Sequence, residues 1–84
     1  MVIIFGTGHT AQCLMEYKEM LNIKYFIDNS KEKQEGQFNG YNVYAPLKLK
    51  EESDDSYEYI IIASEQFAYS MKKQCIENLG IKKE

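Results

Sequence analysis

The sequence has no arginine, one histidine, one proline and two cysteines. Each scarcity removes a class of function. All ten basic residues are lysine, so no planar guanidinium is available for bidentate recognition of phosphate or carboxylate. The net charge of −3 lacks the basic footprint of a nucleic-acid partner. One histidine without a Cys/His cluster leaves no expected metal site. Two cysteines make no disulfide framework. The longest apolar runs, Val2–Phe5 and Tyr59–Ala63, fall far short of the ~20 residues that span a bilayer. No basic segment leading into a long apolar stretch opens the chain, so no export leader is expected. The expected location is cytoplasmic, with both thiols reduced.

What is present is ordinary for a folded domain: 44% hydrophobic, 27% charged and 13% aromatic residues in a chain of 84. That composition excludes disorder and low complexity. A chain of this size buries roughly 60–65% of its unfolded surface, enough for one modest core. Residues 1–84 read as a single module.

Three apolar runs are continuous rather than alternating: Val2–Phe5, Tyr25–Ile27 and Tyr59–Ala63. Such runs mark strands covered on both faces, as in a parallel sheet between helices. Asn42-Val43-Tyr44 is a weaker strand suited to a sheet edge. Between the first two runs, Ala11, Leu14, Met15, Lys18 and Leu21 follow helical spacing. After the last run, Phe67, Met71, Cys75 and Leu79 repeat every four residues, with Ser64 as N-cap and Gly80 as C-cap. A short helix is expected from Pro46. The acidic stretch Glu51–Asp55 and the mixed stretch Lys31–Gly36 read as solvated loops. The expected architecture is α/β, a three-layer, doubly wound and mostly parallel sheet of about four strands in the order 3-2-1-4. A further strand is expected where Ile81–Glu84 stand, so the chain reads as a piece of a longer protein.

The chemistry concentrates at Gly6-Thr7-Gly8-His9-Thr10-Ala11, which matches G-x-G-x-x-G/A between a strand and a helix, the Rossmann dinucleotide fingerprint. Gly6 makes the tight turn, Gly8 lets a phosphate approach the backbone, and Ala11 lets the helix pack close to the sheet. The helix start would offer N–H groups and partial positive charge to that phosphate. His9 lies at the helix start, where the positive end of the dipole favours a neutral ring. Asp28 stands twenty residues after Gly8, where an acid accepts hydrogen bonds from a ribose diol. With no arginine near, NAD suits the site better than NADP. Ser64, Glu65 and Gln66 would face Gly8 across the crevice. A glycine turn and an Asp28-Asn29-Ser30 turn also serve a ligand-free scaffold, and both readings stand at this point.

The series Ile3–Gly8, Tyr25–Asn29, Gly40–Pro46, Tyr59–Ser64 and Leu79–Ile81 resembles small Rossmann-like modules of bacterial cell-surface polysaccharide enzymes. Those modules accompany sugar O-acyltransferases, glycosyltransferases and FkbM-type methyltransferases. The resemblance implies a nucleotide ligand, NAD or a UDP-sugar, held by Gly6, Gly8, His9, Asp28 and Asn29; Thr7 of the glycine turn and Ser64 across the crevice complete the candidate set. It implies that catalysis resides in an attached or associated enzyme domain, and no catalytic residue is assigned here. Asn29 stands where the sugar acyltransferases have a second acid, and His9 follows Gly8 directly rather than lying further along the loop. Tyr69 and Lys73 form Tyr-x-x-x-Lys, the pair of short-chain dehydrogenases, but on the wrong helix. Cys13 and Cys75 read as core residues without a base beside them. The alternative is a scaffold that associates with a partner or with itself, through an open edge at Asn42–Tyr44 or the missing final strand.

Overall fold

In the computed structural model, residues 1–53, 55–77 and 79 are described. The expected Gly80 cap, the strand expected at Ile81–Glu84 and Asp54 of the acidic stretch lie outside those residues. Five strands form one sheet: β1 (Val2–Phe5), β2 (Ile23–Ile27), β3 (Gln37–Phe38), β4 (Tyr41–Tyr44) and β5 (Tyr59–Ile62). Their order is β3-β4-β2-β1-β5. β1 runs parallel to both β2 and β5, with Ile4 opposite Phe26 on one side and Ile61 on the other. β4 runs parallel to β2, and β3 is antiparallel to β4.

This corrects the four-strand, mostly parallel, doubly wound sheet expected from the sequence. The sheet is mixed, and it has a fifth strand. The cause is local. Asn39 (φ +51°) and Gly40 (φ +87°) both occupy the left-handed region, the requirement of a two-residue hairpin turn. That turn folds Gln37-Phe38 back so that Phe38 pairs with Tyr41 and Gln37 with Asn42. Phe38 and Tyr41 then pack against Phe26, with ring centroids 5.0 and 5.8 Å away. β3 therefore pairs with Tyr41 and Asn42, and Val43 bonds to Glu35 and Gly36 before β3, so this strand is not the sheet edge.

Alternation along β1 divides the core. Ile4 faces α1 (His9–Leu14), a 3-10 turn (Met15–Tyr17) and α2 (Lys18–Leu21), joining Val2, Ala11, Met15, Ile23, Phe26 and Val43. Ile3 and Phe5 face a 3-10 helix (Pro46–Glu51) and α3 (Ala68–Glu77), joining Tyr25, Ile27, Leu49, Met71 and Cys75. Phe5, Phe26, Ile3, Ile4, Ile27 and Val43 are the largest fully buried side chains. Each contributes about 1.5–3 kcal/mol by burial.

The helical stripes depart from expectation at three places. The first helix breaks at Tyr17, whose φ of −111° and ψ of +15° are not helical, and Lys18 is exposed. Phe67 precedes α3 and is 57% exposed instead of facing the core. Cys13 is exposed, whereas Cys75 is buried as expected.

The acidic stretch also holds a surprise. Glu52 is not solvated: it accepts from Lys24 Nζ at 2.9 Å and from the Tyr25 hydroxyl at 2.7 Å. These two bonds, Lys24 first, hold its carboxyl at about 2. Burial and this same bond push the Tyr25 phenol far up. A depressed carboxyl stabilises the fold above its ordinary range and loses that contribution as it is protonated. Glu52→Gln should therefore cost about 1–3 kcal/mol at neutral pH. The gap from wild type should close as pH falls from 4.5 toward 2. Urea unfolding at a series of pH values measures it, and a gap that stays constant with pH would rule the ion pair out as its source.

Candidate functional site

Three strand ends meet at one side of the sheet. Phe5 runs into the glycine turn, Ile27 into Asp28, and Ile62 into Ala63-Ser64. Between them opens a cleft of about 560 Å³. Gly6, Thr7, Gly8, His9, Asp28, Asn29 and Ser64 all line it, as do Glu65 and Gln66. The structure thus brings together every site residue expected from the sequence. Their individual geometry then separates builders of the site from surfaces it presents.

Gly6 builds. Its φ is +118°, and its N–H donates to the Ile27 carbonyl at 2.7 Å. A Cβ there would sit 2.8 Å from the Ala63 carbonyl oxygen. Glycine is required at this point for the chain to pass between β2 and β5. Gly8 differs. Its φ of −95° suits any residue, and nothing lies within 4 Å of an added Cβ. Apart from a mild preference at helix caps, the chain itself does not demand glycine there.

Asp28 also builds. One carboxylate oxygen accepts from the Thr7 N–H at 2.9 Å and the Thr7 hydroxyl at 2.7 Å. The other accepts from the Ser30 N–H at 2.8 Å. A carboxylate has about four acceptor positions, so three are taken and one remains. Asp28 therefore keeps one acceptor position for a further bond. Thr7, only 4% exposed, faces Asp28 with its side chain.

Asn29 and Gln74 exchange two amide hydrogen bonds, at 3.0 and 2.9 Å, tying the end of β2 to α3. Ser64 Oγ accepts from the Phe67 N–H at 2.9 Å, capping the turn that leads into α3. That places the Phe67 ring on the cleft rim, an exposed flat surface of the kind on which aromatic ligands stack. His9 is exposed, with Nε2 3.6 Å from Cys13 Sγ one turn on. A base therefore does stand beside that thiol, contrary to the sequence reading. Tyr69 is 81% exposed and Lys73 lies 3.8 Å from Glu77, and neither lines the cleft. Among the described residues no three His, Cys, Asp or Glu side chains could share a metal ion. None of the described helices is long and apolar enough to cross a membrane.

Sequence reasoning missed Lys33, Gln74 and Phe67. Lys33 sat in a stretch read as solvated, and Phe67 on a stripe read as core. Gln74 flanks the Met71–Cys75 stripe of α3, where a polar residue gives no apolar signal. Hairpin chemistry was the missed signal for Lys33, because Asn39-Gly40 predicts that the preceding segment folds back toward the strand ends.

No curated protein and no solved structure matches the chain. A family match does exist, and it takes in all the elements that shape the cleft. Over residues 1–84 the sequence fits the description "C2185-like, N-terminal", and the chain belongs to that family.

Proposed function

We propose that this chain is a ligand-binding module for a nucleotide, a UDP-sugar or an NAD-like molecule, serving a sugar- or polysaccharide-modifying enzyme domain rather than catalysing by itself. The observation that carries the reading is the cleft at the carboxyl ends of β1, β2 and β5. There β1 sends one neighbour to each side, the position at which open α/β sheets take ligands. The cleft size falls within the range of small-molecule sites. Gly8 supports the same reading, since it leaves an open backbone approach that the fold does not use. The cleft surfaces left over after folding include a rim aromatic, one acceptor position on Asp28, the His9 ring, the Lys33 ammonium and the loop backbone. Those surfaces suit orientation of a ligand. The association reading loses its open edge, since Asn42 pairs with β3 and Val43 bonds to the segment before it.

A two-dimensional NMR titration of the labelled chain with NAD and with UDP-glucose tests the proposal. Saturable shifts are expected at Gly6, Thr7, Gly8 and His9, with micromolar to millimolar affinity, about 4–8 kcal/mol. Gly8→Val should keep the fold, losing about 1 kcal/mol or less at the helix cap. It should weaken the better ligand by about tenfold or more, because a Cβ then stands where the ligand approaches. No shift from either nucleotide at millimolar concentration would sink the reading.

A further inference from the structure

The segment after β2 is not a free loop. The Lys33 and Gln34 N–H groups both donate to the Ser30 carbonyl, and the Gln34 side chain donates to the Asp28 carbonyl at 2.8 Å. Glu35, at φ +66°, donates its N–H to Val43, and Val43 donates back to Gly36. This turn carries Lys33 over the glycine loop, where Nζ donates to the Thr7 carbonyl at 3.1 Å. Lys33 lines the cleft.

Three other lysines, Lys24, Lys48 and Lys73, have carboxylates within 4 Å. Among the described residues Lys33 has none. An ammonium has three donors, and one of Lys33's is spent on a neutral carbonyl. α1 is only six residues long, so its dipole supplies little of the positive charge that a long helix would bring. Among the described residues Lys33 is the one lysine that lines the cleft, which the carboxylates of Asp28 and Glu65 also line.

We infer that Lys33 is the anion-recognition residue of this cleft, binding a diphosphate laid along Thr7-Gly8. The inference rests on the nucleotide reading for the identity of its ligand, and on the loop geometry for the residue. Its chemistry is that of a point charge with two donors to give, so it recognises phosphate charge rather than a planar fork's geometry.

Inorganic pyrophosphate, UDP-glucose and NAD are titrated into wild type, Lys33→Gln and Lys33→Arg, with uridine and adenosine as uncharged comparisons. Wild type should bind pyrophosphate with shifts at Thr7 and Gly8. Lys33→Gln should weaken pyrophosphate and both nucleotides by about tenfold or more, while Lys33→Arg restores most of the loss. The two nucleosides should not distinguish the variants. The thermal midpoint should stay within about 4 °C, since one part-buried bond to a neutral carbonyl is lost. Nucleotide binding that ignores Lys33→Gln would overturn this inference and leave the nucleotide reading standing. Lys33-dependent pyrophosphate binding without nucleotide binding would do the reverse. No pyrophosphate binding by wild type overturns the inference outright.

Discussion

Gly6→Ala should remove much of the stability of this domain. Two costs combine. A residue with a side chain at φ +118° carries about 1–3 kcal/mol of backbone strain. Its Cβ would stand 2.8 Å from a backbone oxygen that cannot swing aside, because Ala63 is itself bonded through its N–H to the Phe5 carbonyl. Overpacking of that kind adds about 1–3 kcal/mol. Together they approach the lower end of the 5–15 kcal/mol that holds a typical domain. In urea, the midpoint should fall steeply at an unchanged slope, and the thermal midpoint should drop by at least about 10 °C. Gly8→Ala, two residues on, is the comparison, and its loss should stay near 1 kcal/mol or below. Similar losses at both glycines would refute the division between a glycine the fold needs and one it leaves open.

Asp28→Ala should be nearly as damaging, for a polar reason. It deletes the acceptor of three short bonds and strands the Thr7 N–H and hydroxyl in a buried place. Bonds to a charged group contribute about 1.5–3 kcal/mol each when removed singly, and shared ones do not add. A total of about 2–4 kcal/mol is expected. Thr7→Val alone should cost about 1–2 kcal/mol by losing the hydroxyl bond. The double variant should fall short of the sum by about 0.5–3 kcal/mol, the signature of side chains in contact. Strict additivity would show that Asp28 acts elsewhere. This result bears on binding experiments too. An Asp28 variant that loses ligand has first lost the brace of the loop, so Asp28 can be credited with a ligand contact only at matched stability.

The sequence disclosed some of this and hid some, for physical reasons. Continuous burial on both faces of β1 left a clear trace in Val2–Phe5, because a strand with helices on either side cannot carry polar residues. Gly6 and Gly8 share a turn because strand-turn-helix spacing is local, and Asp28 joins them because β2 lies parallel beside β1. What stayed hidden was decided at a distance or by small signals. β3 is two residues long and holds one apolar side chain, so no periodicity could announce it. The only notice was Asn39-Gly40. The engagement of Asp28 by Thr7, and of Glu52 by Lys24 and Tyr25, joins residues far apart in the chain. In sequence Glu52 looks like a solvated loop residue, and Asp28 like a ribose acceptor or a turn residue. The break of the first helix at Tyr17 interrupts an apolar stripe that continues to Leu21, and periodicity alone runs straight through it.

The place of β1 between β2 and the edge strand β5 has a consequence for how the molecule assembles. The β3–β4 hairpin closes over two residues and can form early. The β1–β5 pair joins the beginning of the chain to a strand beyond its middle, so it meets the largest loop-closure entropy. Until β5 docks, Ala63 and Ser64 are not beside Gly6, and the cleft has only one wall. The site is thus completed by the least local pairing in the sheet. A molecule that requires both walls binds only the finished fold and draws the whole folding equilibrium toward it by mass action.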